Sequence, residues 1–516
     1  MIKAYLGIEL GSTRIRAVVI NEAHAVIAQG SSAWEDKLEN GVWTYPLEEV
    51  WSGLRAAVGA ALRALRGPVS IAGIGISGMM HGYMPFDQEG RPLTAFRTWR
   101  NTFTGKASME LSAMFGRSVP QRWSVAHLYH AVMAGEPHVN QIRRICTLAG
   151  YVHHRLTGEF VTGIGDASGM FPLDGDRYCM RCMAQFSEIL ADFHLSWQLD
   201  GILPEIRKAG EYAGVLTEDG ARLLDSTGKL KAGIPMAPPE GSAATGMVST
   251  NSIAPTTGIV SAGVSIYSMT VLEKPLSRPY PEIDIVATPT GKPVAMVHCN
   301  NCTADISAWA KTYQEFSGLV GAAMDEDSLY AMLLHQSVGG DPDCGGVTVV
   351  GYLAGEHVTD FASGCPLVLR GNASRFTLAN FLRAQVYSAF ASLAIGMRIL
   401  RRENVSISRI TAHGGFFKTP EVGQQYLADA VNAPVAVMEI AVDSVAYGMA
   451  LLTAFLVQKG AGETLENYLD QRVFGEVRRA VIAPCEEGVK GFQAYLQRFE
   501  RALLVERAAV NGKFSQ

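Results

Sequence analysis

The chain has 516 residues, of which 48% are apolar and 18% charged, and that balance excludes both a disordered chain and a coiled-coil rod. A formal net charge of −5 leaves no global basic footprint for nucleic acid. No run approaches the roughly 20 apolar residues of a bilayer span, and the length suits two large or three ordinary domains.

Tyr5–Leu10 is an apolar run, followed by the polar turn Gly11-Ser12-Thr13 and a second apolar run, Ile15–Ile20; this pattern predicts strand, tight turn, strand. The start has no basic flank and apolar core of a signal peptide, so the expected location is the cytoplasm. Trp51–Leu65 has Leu54, Val58, Leu62 and Leu65 at helical spacing, Val69–Ser77 is a strand run, and Leu128–Leu156 reads mostly as helix. Gly233–Thr250 breaks the pattern with Pro235, Pro238, Pro239, Gly241 and Gly246. Gly258–Leu272 then repeats the opening hairpin, which predicts an internal repeat and a domain boundary near residue 251. A long helix is expected over Leu378–Arg401, a strand over Ile407–Ala412, the turn His413-Gly414-Gly415 after it, and a charged helical tail beyond Lys459. The fold class is α/β.

Two CxxC spacings, Cys179/Cys182 and Cys299/Cys302, lie too far apart for a compact zinc knuckle and read as reduced, partly buried thiols. Three glycine turns at strand ends carry more weight: Gly11-Ser12-Thr13, Ser261-Ala262-Gly263-Val264-Ser265 and Gly414-Gly415. Such turns offer backbone N–H groups and hydroxyls to an anion, and one opening each half with a third late in the chain suits a nucleotide. None matches the Walker A or Rossmann pattern.

Several segments, in order, resemble the FGGY carbohydrate kinases, and their layout is similar to the xylulokinase and ribulokinase members. These segments are GIELGSTRIRAVVI, GVWTYPLEEVW, GISGMMHGYMPFDQEGRPL, FRTWRNT, GDASGMFPLD, VSAGVSIYS, GYLAGE and AHGGFFKTPEVGQQYLADAVNAPV. The resemblance implies two actin/hexokinase-like (ribonuclease H-like) domains, here 1–251 for sugar and 252–516 for nucleotide. It implies ATP and Mg²⁺ as cofactors and a small-molecule sugar as substrate, with no nucleic acid, no membrane and a homodimer left open. A non-catalytic relative that binds sugar or nucleotide is the alternative.

The family's catalytic Asp precedes the second phosphate loop, where this chain reads PPEGSAATGM. One alignment sets Glu240 on that Asp and a slide of two sets Ser242 there; a carboxylate can accept a proton, whereas a neutral hydroxyl cannot do so at pH 7. Capping of nearby N–H groups is the other role open to Glu240. By resemblance, Met80 and His81 face the sugar, with Trp99, Arg100, Asn101, Asp166 and Ser242 nearby; Asn101 and Glu9 each stand where the family has Asp. Glu9 would orient metal-bound water, or else pair with Arg14 or Arg16. The nucleotide residues implied are Gly11, Ser12, Thr13, Arg16, Ser261, Gly263, Ser265, Gly414, Gly415 and Lys418. His298, Asn300, Asn301 and Asp305 form a polar run that reads as a satisfied turn.

Overall fold

The structure is a computed structural model that describes residues 2–419, 421–438, 445–477 and 479–512. The chain divides into two compact units. Of the described residues, one comprises 2–254, 285–294 and 445–477, and the other 255–284, 295–438 apart from 420, and 479–512.

The first unit is built on β1 (Ile2–Leu10), β2 (Arg14–Asn21) and β3 (Val26–Ala33), followed by the small hairpin β4 (Lys37–Glu39) and β5 (Val42–Thr44). Helix α1 (Leu47–Ala64) then crosses to β6 (Val69–Gly78). Its buried face includes Leu54, Val58 and Leu62, as the spacing predicts. β1 runs antiparallel to β2 and β2 to β3, whereas β6 is parallel to β1. Later come α2 (Ser124–Met133), α3 (Leu148–Thr157), β7 (Val161–Gly163), α4 (Ile164–Ala167), β8 (Glu240–Gly241) and α5 (Ser242–Ser249). The sheet order is β8-β6-β1-β2-β3.

The expected single helix over Leu128–Leu156 is two. Gly135 takes a left-handed φ of +62° and Pro137 follows it, so α2 ends. The freed segment gives a short strand, Arg144–Cys146, paired antiparallel with Met84–Phe86. The helix Val445–Gln458 belongs to this first unit despite its place in the sequence. A side chain on Gly7 of β1 would collide with the Ala446 and Ala450 backbone, and one on Gly448 would collide with Thr245 of α5. Both glycines therefore permit a close backbone approach.

The second unit repeats the plan. β9 (Thr257–Ala262) and β10 (Ile266–Val271) form the predicted antiparallel hairpin. Next in sequence are β11 (Asp284–Ala287), most of which is counted with the first unit, and β12 (Pro293–Cys299), most of which is counted with the second. The long helix α6 (Leu378–Arg402) leads to β13 (Arg409–His413), which lies parallel to β9. Helix α7 (Val422–Val431), β14 (Val435–Met438) and β15 (Arg479–Ile482) complete the sheet, in the order β11-β12-β10-β9-β13-β14-β15. In each unit an antiparallel hairpin is joined by a helical crossover to a strand parallel to its first member, which is the repeat seen in the sequence. The tail beyond Lys459 is less uniformly helical than expected: β15 precedes the terminal helix Glu486–Asn511.

Candidate functional site

In the first unit, β6 and β8 run parallel and end together, with Ser77 opposite Glu240 and Gly78 opposite Gly241. Carboxyl ends of parallel strands are where α/β sheets assemble their sites. An added Cβ on Gly241 would lie 3.2 Å from Met80 Cγ and 3.5 Å from Asp166 Cα, and one on Gly169 would lie 2.6 Å from His81 Nδ1. Met80, His81, Asp166, Glu240 and Gly241 are therefore neighbours. His81 holds a left-handed φ of +73°, and its Nδ1 lies 3.3 Å from the Gly169 carbonyl.

Glu240 is 1% exposed. Its carboxylate accepts from the N–H groups of Gly165 (3.3 Å), Asp166 (3.0 Å) and Gly241 (3.3 Å), so it caps α4. Side chains on Gly163 or Gly165 would strike it, and those glycines make its seat. Burial, and after it the Asp166 charge, push its carboxyl up to about 8. Asp166 is fully buried; its Oδ2 accepts from Thr147 (2.5 Å) and Thr162 (3.2 Å), while Oδ1 has no hydrogen-bond partner among the described residues. Burial pushes it up to about 7. Ser242 is half-buried and opens α5, one turn from the Ser77–Thr245 hydroxyl contact at 2.9 Å.

Arg100 and Asn101 bond to the β4–β5 hairpin. Asn101 bonds mainly to backbone: Oδ1 accepts from Trp43 N (2.9 Å), and Nδ2 donates to Trp43 O (2.9 Å) and Thr98 O (3.0 Å), with the Thr98 hydroxyl at 3.4 Å. Arg100 donates to Asp36 at 2.8 Å and stacks on the Trp43 ring at 3.8 Å. Both hold the β4–β5 hairpin in place, and Trp99 is exposed beside them.

The turn Gly11-Ser12-Thr13 joins β1 to β2 on the surface. Glu9, at the end of β1, is 5% exposed and pairs with Arg16 across the ladder at 3.1 Å. Gly11 allows this, because a Cβ there would lie 2.8 Å from Glu9 Oε1. Sequence reasoning passed over Trp34 and Tyr45, which both bond to this turn. The one cue was that Tyr45 lies within GVWTYPLEEVW; Trp34 lies in none of the family segments.

In the second unit, the Gly263 carbonyl accepts from the Thr303 N–H (3.1 Å) and hydroxyl (2.8 Å), and the Val264 carbonyl from the Cys302 N–H (3.0 Å). Gly414 has φ +110°, and any side chain on it would strike the Ala262 backbone, so the turns after β9 and β13 lie side by side. Ser261 sits opposite His413 in that ladder, Ser265 opens the return to β10, and Gly415 faces open space. The Lys418 side chain lies outside the described residues. Asn301 holds a turn: its Oδ1 accepts from Leu353 (3.0 Å) and Ala354 (2.9 Å), and its Nδ2 reaches buried Glu356 (3.2 Å). The four CxxC thiols are free and buried.

Residues 4–238 match the N-terminal domain, and residues 258–457 the C-terminal domain, of the FGGY family of carbohydrate kinases. The chain belongs to that family. It is a phosphotransferase of the carbohydrate kinase class, and its family takes the phosphoryl group from ATP. It is 23% identical over 452 residues to a xylulose kinase of Haemophilus influenzae, covering 84% of this chain and 87% of that one. A gluconate kinase structure from Lactobacillus acidophilus superposes with a TM-score of 0.82 at 16% identity, covering 100% of both chains. A ligand-bound xylulose kinase from the same organism gives 0.81 at 16% identity, covering 99% of this chain and 100% of that one. The fold is the actin/hexokinase-like one expected from the sequence.

Among the described residues no cluster of three His, Cys, Asp or Glu side chains is placed to hold a metal, and no helix is long and apolar enough to cross a membrane. Mg²⁺, the ion the family resemblance implies, prefers substrate phosphates and water to an all-protein cage. Glu9, beside the first glycine turn, is the carboxylate suited to reach its water shell.

Proposed function

We propose that this chain transfers the γ-phosphoryl group of ATP to a hydroxyl of a ketose or polyol, with Glu240 as proton acceptor. The observation that carries this reading is the convergence of Met80, His81, Asp166 and Gly241 around Glu240 where β6 and β8 end. A loose phosphoryl-transfer transition state needs orientation and charge stabilisation more than covalent help. His81 and the backbone beside Gly169 orient the acceptor hydroxyl. Glu240, when ionised, takes its proton, and Asp166 sets how readily it ionises. In the first unit the Ser12 and Thr13 N–H groups with Arg16 are the phosphate-binding groups, in the second unit Gly263, Gly414 and Gly415 are the nucleotide-binding ones, and Mg²⁺ bound with ATP would neutralise phosphate charge. Titrating pentoses, ketoses, gluconate and glycerol against ADP release tests the reading. Acceptor-dependent ADP release is expected. Tight binding of an acceptor without turnover would overturn the catalytic assignment of Glu240 and leave a binding protein.

A further inference from the structure

Three consecutive carbonyls of the Gly11-Ser12-Thr13 turn are tied to two residues. The Trp34 indole Nε1 donates to Gly11 O (2.6 Å), the Tyr45 hydroxyl to Ser12 O (2.7 Å), and the Trp34 backbone N–H to Thr13 O (3.2 Å). The two rings stack at 4.3 Å between centroids, 30° from parallel. Trp34 leaves the end of β3 and Tyr45 stands one residue before the proline that caps α1, so the pair fastens the turn to two separate elements. Tyr45 is 2% exposed, and burial raises its phenol, which keeps the hydroxyl a donor.

A trans peptide is planar, and its C=O and the N–H of the next residue point in opposite directions. Fixing the Gly11 and Ser12 carbonyls on one side therefore fixes the Ser12 and Thr13 N–H groups on the other. Ser12 and Thr13 are exposed residues, and their N–H groups donate to no group among the described residues. Two successive N–H groups held in one direction make an anion-binding concavity. We propose that Trp34 and Tyr45 are positioning residues for phosphoryl transfer, holding the Ser12 and Thr13 N–H groups on the transferring phosphoryl. This rests on the reading of the first turn as a phosphate site.

The test is Tyr45→Phe, which removes only the hydroxyl, and Trp34→Phe, which keeps an aromatic ring and removes the indole donor. Each is assayed for ADP release with the best acceptor, for ATP affinity by calorimetry with Mg²⁺, and for melting temperature; Thr13→Asp serves as the control on the turn. Because the donors act on charge that develops in the transition state, kcat should fall about tenfold or more in each aromatic variant, with the ATP Kd within about threefold. A purely structural pair would lower the melting temperature and leave kcat of the folded protein unchanged. Unchanged kcat in both aromatic variants, with kcat lost in Thr13→Asp, overturns the clamp and keeps the phosphate turn. Unchanged kcat in all three overturns the phosphate turn and the clamp with it. If Tyr45→Phe does not fold, Trp34→Phe alone decides.

Discussion

Glu9 and Glu240 stand on one rung of the first sheet, with Ser77 between them. Residues opposite one another in a sheet project to the same face, and two strand spacings set their backbones about 10 Å apart. One acid thus stands beside the glycine turn and the other beside the Met80–His81 cluster. β6 is the ruler between them, and Ser77 is pinned to α5 through Thr245.

If Glu240 is the proton acceptor, Glu240→Gln should lower kcat by about 10²–10⁴-fold, the usual worth of general-base help. That corresponds to about 3–5 kcal/mol of barrier at 1.36 kcal/mol per decade. ATP affinity should barely move, because the loss belongs to the transition state. Glu240→Asp should keep part of the rate. Steady-state kinetics with calorimetry reads all three, and a fully active Gln variant would refute the assignment.

The pH profile follows from the same pair. Glu240, pushed up to about 8, must lose its proton to act as a base, so kcat/KM should climb from pH 6 and level off above about pH 8. Asp166→Asn removes a like charge beside it and should move the rising limb to lower pH. A profile that is flat between pH 6 and 9 would separate Glu240 from the chemistry.

Stability should move the opposite way. The folded protein holds protons on Glu240 to about 8 and on Asp166 to about 7, whereas the unfolded chain releases them near 4.5 and 3.8. Between those values the folded state binds more protons than the unfolded one, so raising the pH destabilises it. The melting temperature should fall from about pH 5 to pH 8, and Glu240→Gln should flatten that fall. Differential scanning fluorimetry across the range checks the slope.

Gly415→Asp separates charge from strain at the late glycine turn. A side chain at Gly415 meets nothing within 4 Å, whereas one at Gly414 would strike Ala262. The variant should therefore melt like the parent yet bind ATP at least about tenfold more weakly through repulsion of the phosphates. Undiminished calorimetric affinity would remove this turn from the nucleotide site.

Asn101→Ala should cost stability rather than specificity. The amide makes three backbone hydrogen bonds while buried, and stranding their partners costs about 1–3 kcal/mol. KM for the acceptor should change less than about threefold. A large rise in KM at unchanged melting temperature would return Asn101 to the sugar.

Local chemistry wrote the framework into the sequence. The apolar runs flanking Gly11-Ser12-Thr13 and Gly263 announced two hairpins, because a strand pattern interrupted by turn residues folds the same way in most contexts. Helix α6 was equally legible from its length and periodicity, and the ordered family segments led to the Met80–His81 neighbourhood. What tertiary structure decided were the contacts between residues far apart in sequence. The Arg144–Cys146 strand exists because it pairs with Met84–Phe86, which no local window contains. The helix Val445–Gln458 joins the first unit because Gly7 and Gly448 let backbones meet. Asn101 looks like a sugar ligand in a motif, but the Trp43 backbone claims its amide. The sequence left Glu240 open between base and cap; only packing shows its carboxylate seated on α4, since Gly163 and Gly165 lie more than 70 residues away from it. Side-chain direction and burial are set by such long-range neighbours, and for that reason the identity of the acid was readable while its environment was not.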